Sequence, residues 1–230
     1  MNDKSASKVR VGTWNLDGKR SSSHQALLAG AQCDIWLLTE ISPKACSSQA
    51  RMGDYHCHFS KGVMARNQHW AAILSLKNIC ALPDPHAASA AARIDGITYC
   101  SSILPWAGSG SNPSSPWIGT SLEAMTRAAV TPIAEMLPVA KAVWGGDWNQ
   151  NLFGGWEYVG SRGMRVAIES AVDSLKLRVA TDKLPHQISG SHTIDHIAVP
   201  SQWVISKAER ISATGLSDHD AYVIDAHIKK

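Results

Sequence analysis

The sequence predicts an α/β fold in which two β-sheets pack face to face with helices outside them. Three observations predict it. Short apolar runs, many rich in β-branched or aromatic residues, recur in both halves of the chain. Helical periodicity appears at only a few places between them. The chain is also globular in make-up, with 230 residues, 44% hydrophobic and 18% charged, which is enough to bury a substantial core. A doubly wound parallel sheet is the competing architecture, but it wants a more regular alternation of helix and strand.

The elements follow in order. Residues 1–8 are polar and are expected to be a flexible tail, leaving 9–230 as one domain. Val9 to Trp14 is strand-like and ends in the turn signal Asn15-Leu16-Asp17-Gly18. His24 to Ala31 reads as a short helix. Asp34 to Thr39 is an apolar run too short for most helices, hence a buried strand that delivers Glu40 at its C-terminal end. His56 and His58 alternate on a further strand and share a face, where solvation is expected ahead of metal binding. Ala71 to Leu76 and Ile97 to Ser102 are strands, and Ala107 to Ser115 is a Gly/Ser/Asn/Pro loop. Leu122 to Leu137 has helical spacing, with Pro132 expected to kink or break it. Ala142 to Trp144 is a short strand running into Gly145-Gly146-Asp147. Gly163 to Leu175 is a helix, and Thr193 to Val199, Trp203 to Ala208 and Ala221 to Ile228 are strands. No internal repeat is visible.

Composition narrows the classes of function. A net charge of +3 without runs of like charge permits a polyanionic partner but does not demand one. No apolar run approaches the ~20 residues of a membrane span. The five cysteines show no Cys-x-x-Cys spacing, and the first residues lack the apolar stretch of a secretory leader. A cytoplasmic protein with reduced, buried cysteines is the expectation, and a disulfide protein that has lost a leader is the alternative.

Acidic and amide residues recur at strand ends: Asn15, Asp17, Glu40, Asp147, Asn149, Asp195 and Asp218. Strand ends gathered on one rim give a rigid scaffold with free loops, and sheet proteins place sites there. Carboxylate and amide oxygens are hard ligands suited to Mg²⁺ or Mn²⁺. The sharpest local signal is Gly145-Gly146-Asp147-Trp148-Asn149, where a strand stops and an acid and an amide follow on one face of an extended segment. Ile194-Asp195-His196-Ile197 puts an acid and an imidazole inside an apolar strand, and Ser217-Asp218-His219-Asp220 precedes the last strand. Each alone is more often a turn, a cap or a solvated loop.

Taken together and in order, these motifs resemble the endonuclease/exonuclease/phosphatase family, the deoxyribonuclease I-like phosphoesterases. The residues carrying the resemblance are Thr13 to Gly18, Asp34 to Glu40, Gly146 to Asn149, Thr193 to Ile197 and Leu216 to His219, spread across nearly the whole chain. Trp148 stands where the family commonly has Phe. The resemblance implies a four-layered sandwich of two mostly antiparallel β-sheets flanked by helices. It implies Glu40 as the main Mg²⁺ ligand (Mn²⁺ as the alternative), assisted by Asn15 and by Asp17 or Asp218. Asp147 would orient or deprotonate the attacking water, and Asn149 would hold that water or the phosphate. His219 would bind a phosphate oxygen, and Asp195 would fix its tautomer. Ser102, Trp148, Arg162 and His192 are the further substrate-binding candidates. One departure stands out: many family members have His or Tyr two positions before the proline of a Leu-Pro step, and here Ile103 precedes Leu104-Pro105.

The chemistry agrees with these roles. A phosphodiester is anionic and repels an activated water until its charge is neutralised, which a metal and a cationic imidazole can do. Nine tryptophans are many. Trp14, Trp36, Trp144 and Trp203 are expected in the core, while Trp106, Trp117, Trp148 and Trp156 lie near loops where stacking on a base competes with packing. Arg66, Arg93, Arg162 and Arg165 could contact phosphates, although surface solvation is their default. His186 and His192 border the site in sequence, and His196 should point to the opposite face of its strand from Asp195. Three functions are open in this order: a nuclease, on DNA first, acting as a monomer with no protein partner; a phosphatase or phosphodiesterase for a smaller metabolite or lipid head group; and a non-catalytic binding module.

Overall fold

The computed structural model describes residues 7–46, 51–111, 115–154 and 159–228. Trp156, part of the 107–115 loop and most of the 1–8 tail lie outside them, but Ser7 and Lys8 already belong to the first strand.

One sheet is built from β1 (Ser7–Asn15), β2 (Ile35–Ile41), β3 (Arg51–Met52), β4 (Tyr55–Phe59) and β5 (His69–Ser75), joined by the last two strands of the chain. The other contains β6 (Cys80–Ala81), β7 (Ser89–Ile94), β8 (Ile97–Ser102), β9 (Ala142–Asp147), β10 (Leu177–Val179) and β11 (Asp195–Pro200). Then β12 (Val204–Ile211) and β13 (Ala221–Ile228) return to the first sheet. The orders are β12-β13-β1-β2-β5-β4-β3 and β10-β11-β9-β8-β7-β6. Within them only β1/β2 and β8/β9 pair in parallel, so the sheets are mostly antiparallel as expected.

Three helices cover the sheets among the described residues: α1 (Ser22–Gly30), α2 (Leu122–Met136) and α3 (Arg162–Ser174). Each starts at a serine, Ser21, Ser121 or Ser161, whose hydroxyl accepts a backbone N–H of the first turn. In α3 the buried positions Met164, Ala167, Ile168, Ala171 and Val172 fall on one stripe. α2 buries Met125, Ala129, Val130 and Ile133 in the same way. Pro132 does not break α2. The carbonyl it leaves without a donor belongs to Ala128, which is exposed and can turn to water.

Three apolar layers result. Trp14, Trp36, Leu38 and Leu74 pack with Leu28 beneath α1. Val11, Ile35, Leu37 and Ile73 meet Ala90, Ala92, Val143 and Ile197 between the sheets. Trp144 and Cys100 meet the stripes of α2 and α3. The four-layered α/β sandwich is therefore present. β2 shows why its sequence is an unbroken apolar run, because its alternate side chains enter two different cores.

Two expectations are corrected. β9 continues through both glycines to Asp147 instead of stopping at Trp144. Gly146 takes φ +124°, and a Cβ there would sit 2.1 Å from the Ser102 carbonyl oxygen, so only glycine lets β9 lie this close to β8. And the cysteines are not all reduced: Cys46 and Cys57 form a disulfide. β4 turns Cys57 toward the α1-side core, where the 3₁₀ turn Pro43–Ala45 brings Cys46 to a Cα–Cα distance of 6.8 Å. Cys33 and Cys100 stay free and buried, and Cys80 is free and exposed. No helix among the described residues is long and apolar enough to cross a membrane.

Candidate active site

The two parallel strand pairs end on the same rim. β1 delivers Asn15 and β2 delivers Glu40, while β9, in the other sheet, delivers Asp147. Asn15 is 1% exposed, and its Nδ2 donates to Glu40 Oε1 at 3.1 Å and to Asp147 Oδ2 at 3.0 Å. One amide thus holds carboxylates from two sheets together. Asp147 Oδ1 accepts the backbone N–H of Asn149 at 3.0 Å, and Asn149 Nδ2 donates to the Leu104 carbonyl at 3.0 Å.

Antiparallel to β9, β11 sets Asp195 directly opposite Asp147. Asp195 Oδ2 accepts from His219 Nδ1 at 2.8 Å, which leaves His219 Nε2 3.9 Å from Asp147 Oδ2. The loop bearing His219 is fastened to β1 from two sides. Ser217 donates its hydroxyl to the Asn15 carbonyl at 2.8 Å and accepts the His219 N–H at 3.1 Å, and Trp14 Nε1 donates to the His219 carbonyl at 3.0 Å.

Backbone strain marks the same residues. Glu40, Asn149 and Asp17 hold φ of +49°, +50° and +49°, a region that costs a non-glycine residue about 1 kcal/mol or more. For Glu40 the strain lies inside a strand whose register holds on either side, Thr39 opposite Ala71 and Ile41 opposite His69.

The electrostatics follow from burial. Burial raises the Asp147 carboxyl to about 6, against the pull of His219. Glu40 is raised by burial and by the neighbouring Asp147 charge, partly offset by Asn15. Burial alone would lower the His219 imidazolium, but Asp195 and Asp147 outweigh it and hold it well above the ordinary histidine range. His219 is therefore a cation at neutral pH, flanked by two carboxylates. Asp147, Asp195 and His219 bring ligand-type atoms within 4.8 Å of one another, a set that could hold a metal only with the His219 ring neutral. The carboxylate oxygens of Glu40 and Asp147 fit a hard cation too, while Asn15 turns its Nδ2 to both of them and its Oδ1 to the Asp17 N–H.

The structure brings Asn15, Glu40, Asp147, Asn149, Asp195 and His219 together. It leaves other candidates at the edge or elsewhere. Asp17 is exposed and pairs with Lys19 at 2.6 Å, although its backbone N–H is tied to Asn15 Oδ1. Asp218 is exposed beside Ser217. Ser102 is buried, and its hydroxyl accepts from Trp144 Nε1 at 2.7 Å, so it is engaged inside the core. Trp148 is fully buried against Trp144 and His196, with ring centroids 4.3 and 5.2 Å away. It packs the floor instead of facing a substrate. His196 points away from the cluster, as expected, and donates from Nε2 to the Gln150 carbonyl at 2.8 Å. Arg162 stands exposed at the start of α3. His192 lies edge-on to Phe153 at 5.0 Å. Of the loop tryptophans, Trp106 is 37% exposed and Trp117 is buried against it.

One residue enters the site that sequence placed only at its border. His186 is buried, with its ring centroid 6.3 Å from that of His219. The signal was its closeness to the Thr193 strand, which gives no orientation.

No family model matches the chain, and no curated protein matches it. Solved structures do. The chain is similar to an AP endonuclease from Archaeoglobus fulgidus, with a TM-score of 0.71 and 16% identity over 96% of this chain and 100% of that one. It is similar to the 3' phosphatase NExo from Neisseria bound to a product DNA hairpin, with a TM-score of 0.68 and 19% identity over 94% and 98% of the two chains. An endonuclease/exonuclease/phosphatase from Beutenbergia cavernae matches at a TM-score of 0.63 and 13% identity, over 96% of this chain and 72% of that one. The chain has the fold of the endonuclease/exonuclease/phosphatase proteins.

Proposed function

We propose that the protein is a divalent-metal-dependent phosphoesterase, acting as a nuclease on DNA. The observation that carries this reading is the facing pair Asp147 Oδ2 and His219 Nε2, 3.9 Å apart, with His219 anchored to Asp195 and Asp147 to Asn15. A carboxylate and a cationic imidazole across a short gap suit an incoming water on one side and an anionic phosphate on the other. The neighbours named as an AP endonuclease and as a phosphatase holding a DNA product lend support.

In this mechanism Asp147 orients the attacking water and takes up its proton. A carboxyl raised to about 6 is better matched to neutral pH than an ordinary aspartate. Asn149 positions the phosphate or the water. His219 donates from Nε2 to a phosphate oxygen and offsets the charge that builds in the transition state. Asp195 keeps the proton of His219 Nδ1 in place and favours the cation. Glu40 would hold Mg²⁺, with Asn15 orienting its carboxylate through Nδ2 and Asp17 and Asp218 at the edge. When bound, the cation would neutralise phosphate charge and stabilise the leaving oxygen.

The test is a panel of single-stranded, duplex and abasic DNA, RNA and a generic phosphodiester, each with Mg²⁺, Mn²⁺ or EDTA. DNA cleavage that EDTA abolishes is expected, and turnover that persists in EDTA defeats the mechanism. Binding to DNA should weaken steeply with salt if several phosphates are contacted. A flat response would move the substrate to a small phosphoester.

A further inference from the structure

The segment before β11 carries a second imidazole to the cluster and braces it. Pro185 and His192 form an antiparallel bridge, the His186 N–H donates to the Ser191 carbonyl at 2.9 Å, and the Thr193 N–H donates to the Leu184 carbonyl at 2.9 Å. Arg210 Nη1 donates to the His186 carbonyl at 2.9 Å while its Nε donates to buried Asp220. Tyr222 donates its hydroxyl to the Pro185 carbonyl at 3.1 Å. With this support His186 is 7% exposed, and its ring stands edge-on to His219.

The hydrogen bonds also fix the state of the His186 ring. The backbone N–H of Ile188 donates to Nδ1 at 2.9 Å. An N–H can only donate, so Nδ1 presents its lone pair, the ring is neutral, and its proton sits on Nε2. Burial and the positive His219 both push the His186 imidazolium down, in keeping with a neutral ring. Its Nε2–H has no acceptor among the described residues.

We propose that His186 is a further phosphate-contacting residue, whose neutral Nε2–H donates to a non-bridging oxygen of the phosphate that His219 and Asp147 face. The proposal rests on the phosphoesterase reading and names a donor where Ile103, just after β8, offers none. Ile103, at the place of the family's His or Tyr, is apolar and 1% exposed. Two cationic imidazoles this close would repel each other, and a neutral donor beside a charged one lets both meet the same anion.

The experiment follows the imidazole rings by ¹H–¹⁵N correlation NMR on ¹⁵N-histidine-labelled protein in EDTA, titrated with dimethyl phosphate and assigned with H186Q. The Nε2–H tautomer at pH 7 and a saturable shift of the His186 Nε2 signal are expected. An Nδ1–H tautomer, or no response from His186, overturns the proposal. A kinetic arm compares H186Q, whose amide nitrogen falls near the Nε2 position, with H186L on the cleaved phosphodiester. H186Q should stay within about threefold of wild type, while H186L should lose about 10²-fold in kcat/KM at unchanged urea midpoint. Equal loss in both variants, or none in H186L, also overturns it. A spectral response in a protein that cleaves no phosphodiester would retire the phosphoesterase reading and leave the phosphate contact standing.

Discussion

At the scale of the residue, the cluster works by placing unlike environments side by side. Asp147 and His219 sit 3.9 Å apart, each anchored from behind by its own partner. Removing His219 leaves Asp147 without its cation, and removing Asp147 leaves His219 with Asp195 alone. His219→Ala and Asp147→Ala are each expected to lower kcat by about 10²-fold or more, and the double variant should do little worse than the worse single one. Steady-state rates on the cleaved substrate check this, and wild-type rates in both single variants would mean that the site lies elsewhere. His196 makes the opposite kind of prediction, about stability. Burial holds its imidazolium down at about 4, against an ordinary value of 6.5. Between those values the unfolded chain binds the proton and the folded one does not. Its contribution is therefore complete above pH 6.5 and is lost as pH falls toward 4, by on the order of 3 kcal/mol. The raised Asp147 carboxyl works the other way over this range, so the fall should appear as the difference between wild type and His196→Gln in urea unfolding at pH 7.5 and at pH 4.5. The residue scale is also where sequence was most and least informative. Asn15, Glu40, Asp147 and Asp195 were legible because a polar residue at the end of an apolar strand has few structural reasons to be there. Trp148 and Ser102 were not, because both are taken up by Trp144, the indole of Trp148 packing on its ring and the Ser102 hydroxyl accepting its Nε1–H. His186 reaches His219 across a loop that has no periodicity to read.

At the scale of the element, the helices were legible from their stripes and the central strands from their apolar runs. β7 was missed. Its Ser89-Ala90-Ala91-Ala92 has little strand propensity, and it is a strand because small side chains are needed where Ala90 and Ala92 face β5 across the sheets. Pro132 is the other surprise. It sits inside α2 without ending it, so the helix carries the loss of a hydrogen bond and some crowding of the preceding turn. Pro132→Ala should restore that bond. Part of the gain is offset because the variant's unfolded chain is freer. A net stabilisation of about 1–2 kcal/mol is expected, read as a higher urea midpoint at unchanged slope. A lower midpoint would show that the ring's packing outweighs the backbone.

At the scale of the whole molecule, the Cys46–Cys57 bridge closes an 11-residue separation on the sheet that holds Glu40. Loop-closure entropy predicts that Cys46→Ser with Cys57→Ser destabilises the fold by about 3 kcal/mol, measured by urea unfolding. A double variant as stable as wild type would show the thiols to be unpaired in solution. Hydrogen bonds also cross between the two sheets at several buried points. Asn15 reaches Asp147, His219 reaches Asp195, and the Ser101 hydroxyl donates to the Leu38 carbonyl at 2.8 Å. Two of these three links are also the site. The site is thus also a clasp, and it stays shut only while the sheets keep their alignment. A slip of one sheet past the other by about 3 Å would lengthen both links beyond bonding distance. Turnover would then cease while each sheet remained folded, making catalysis a gauge of shear between the layers, one that circular dichroism would not see.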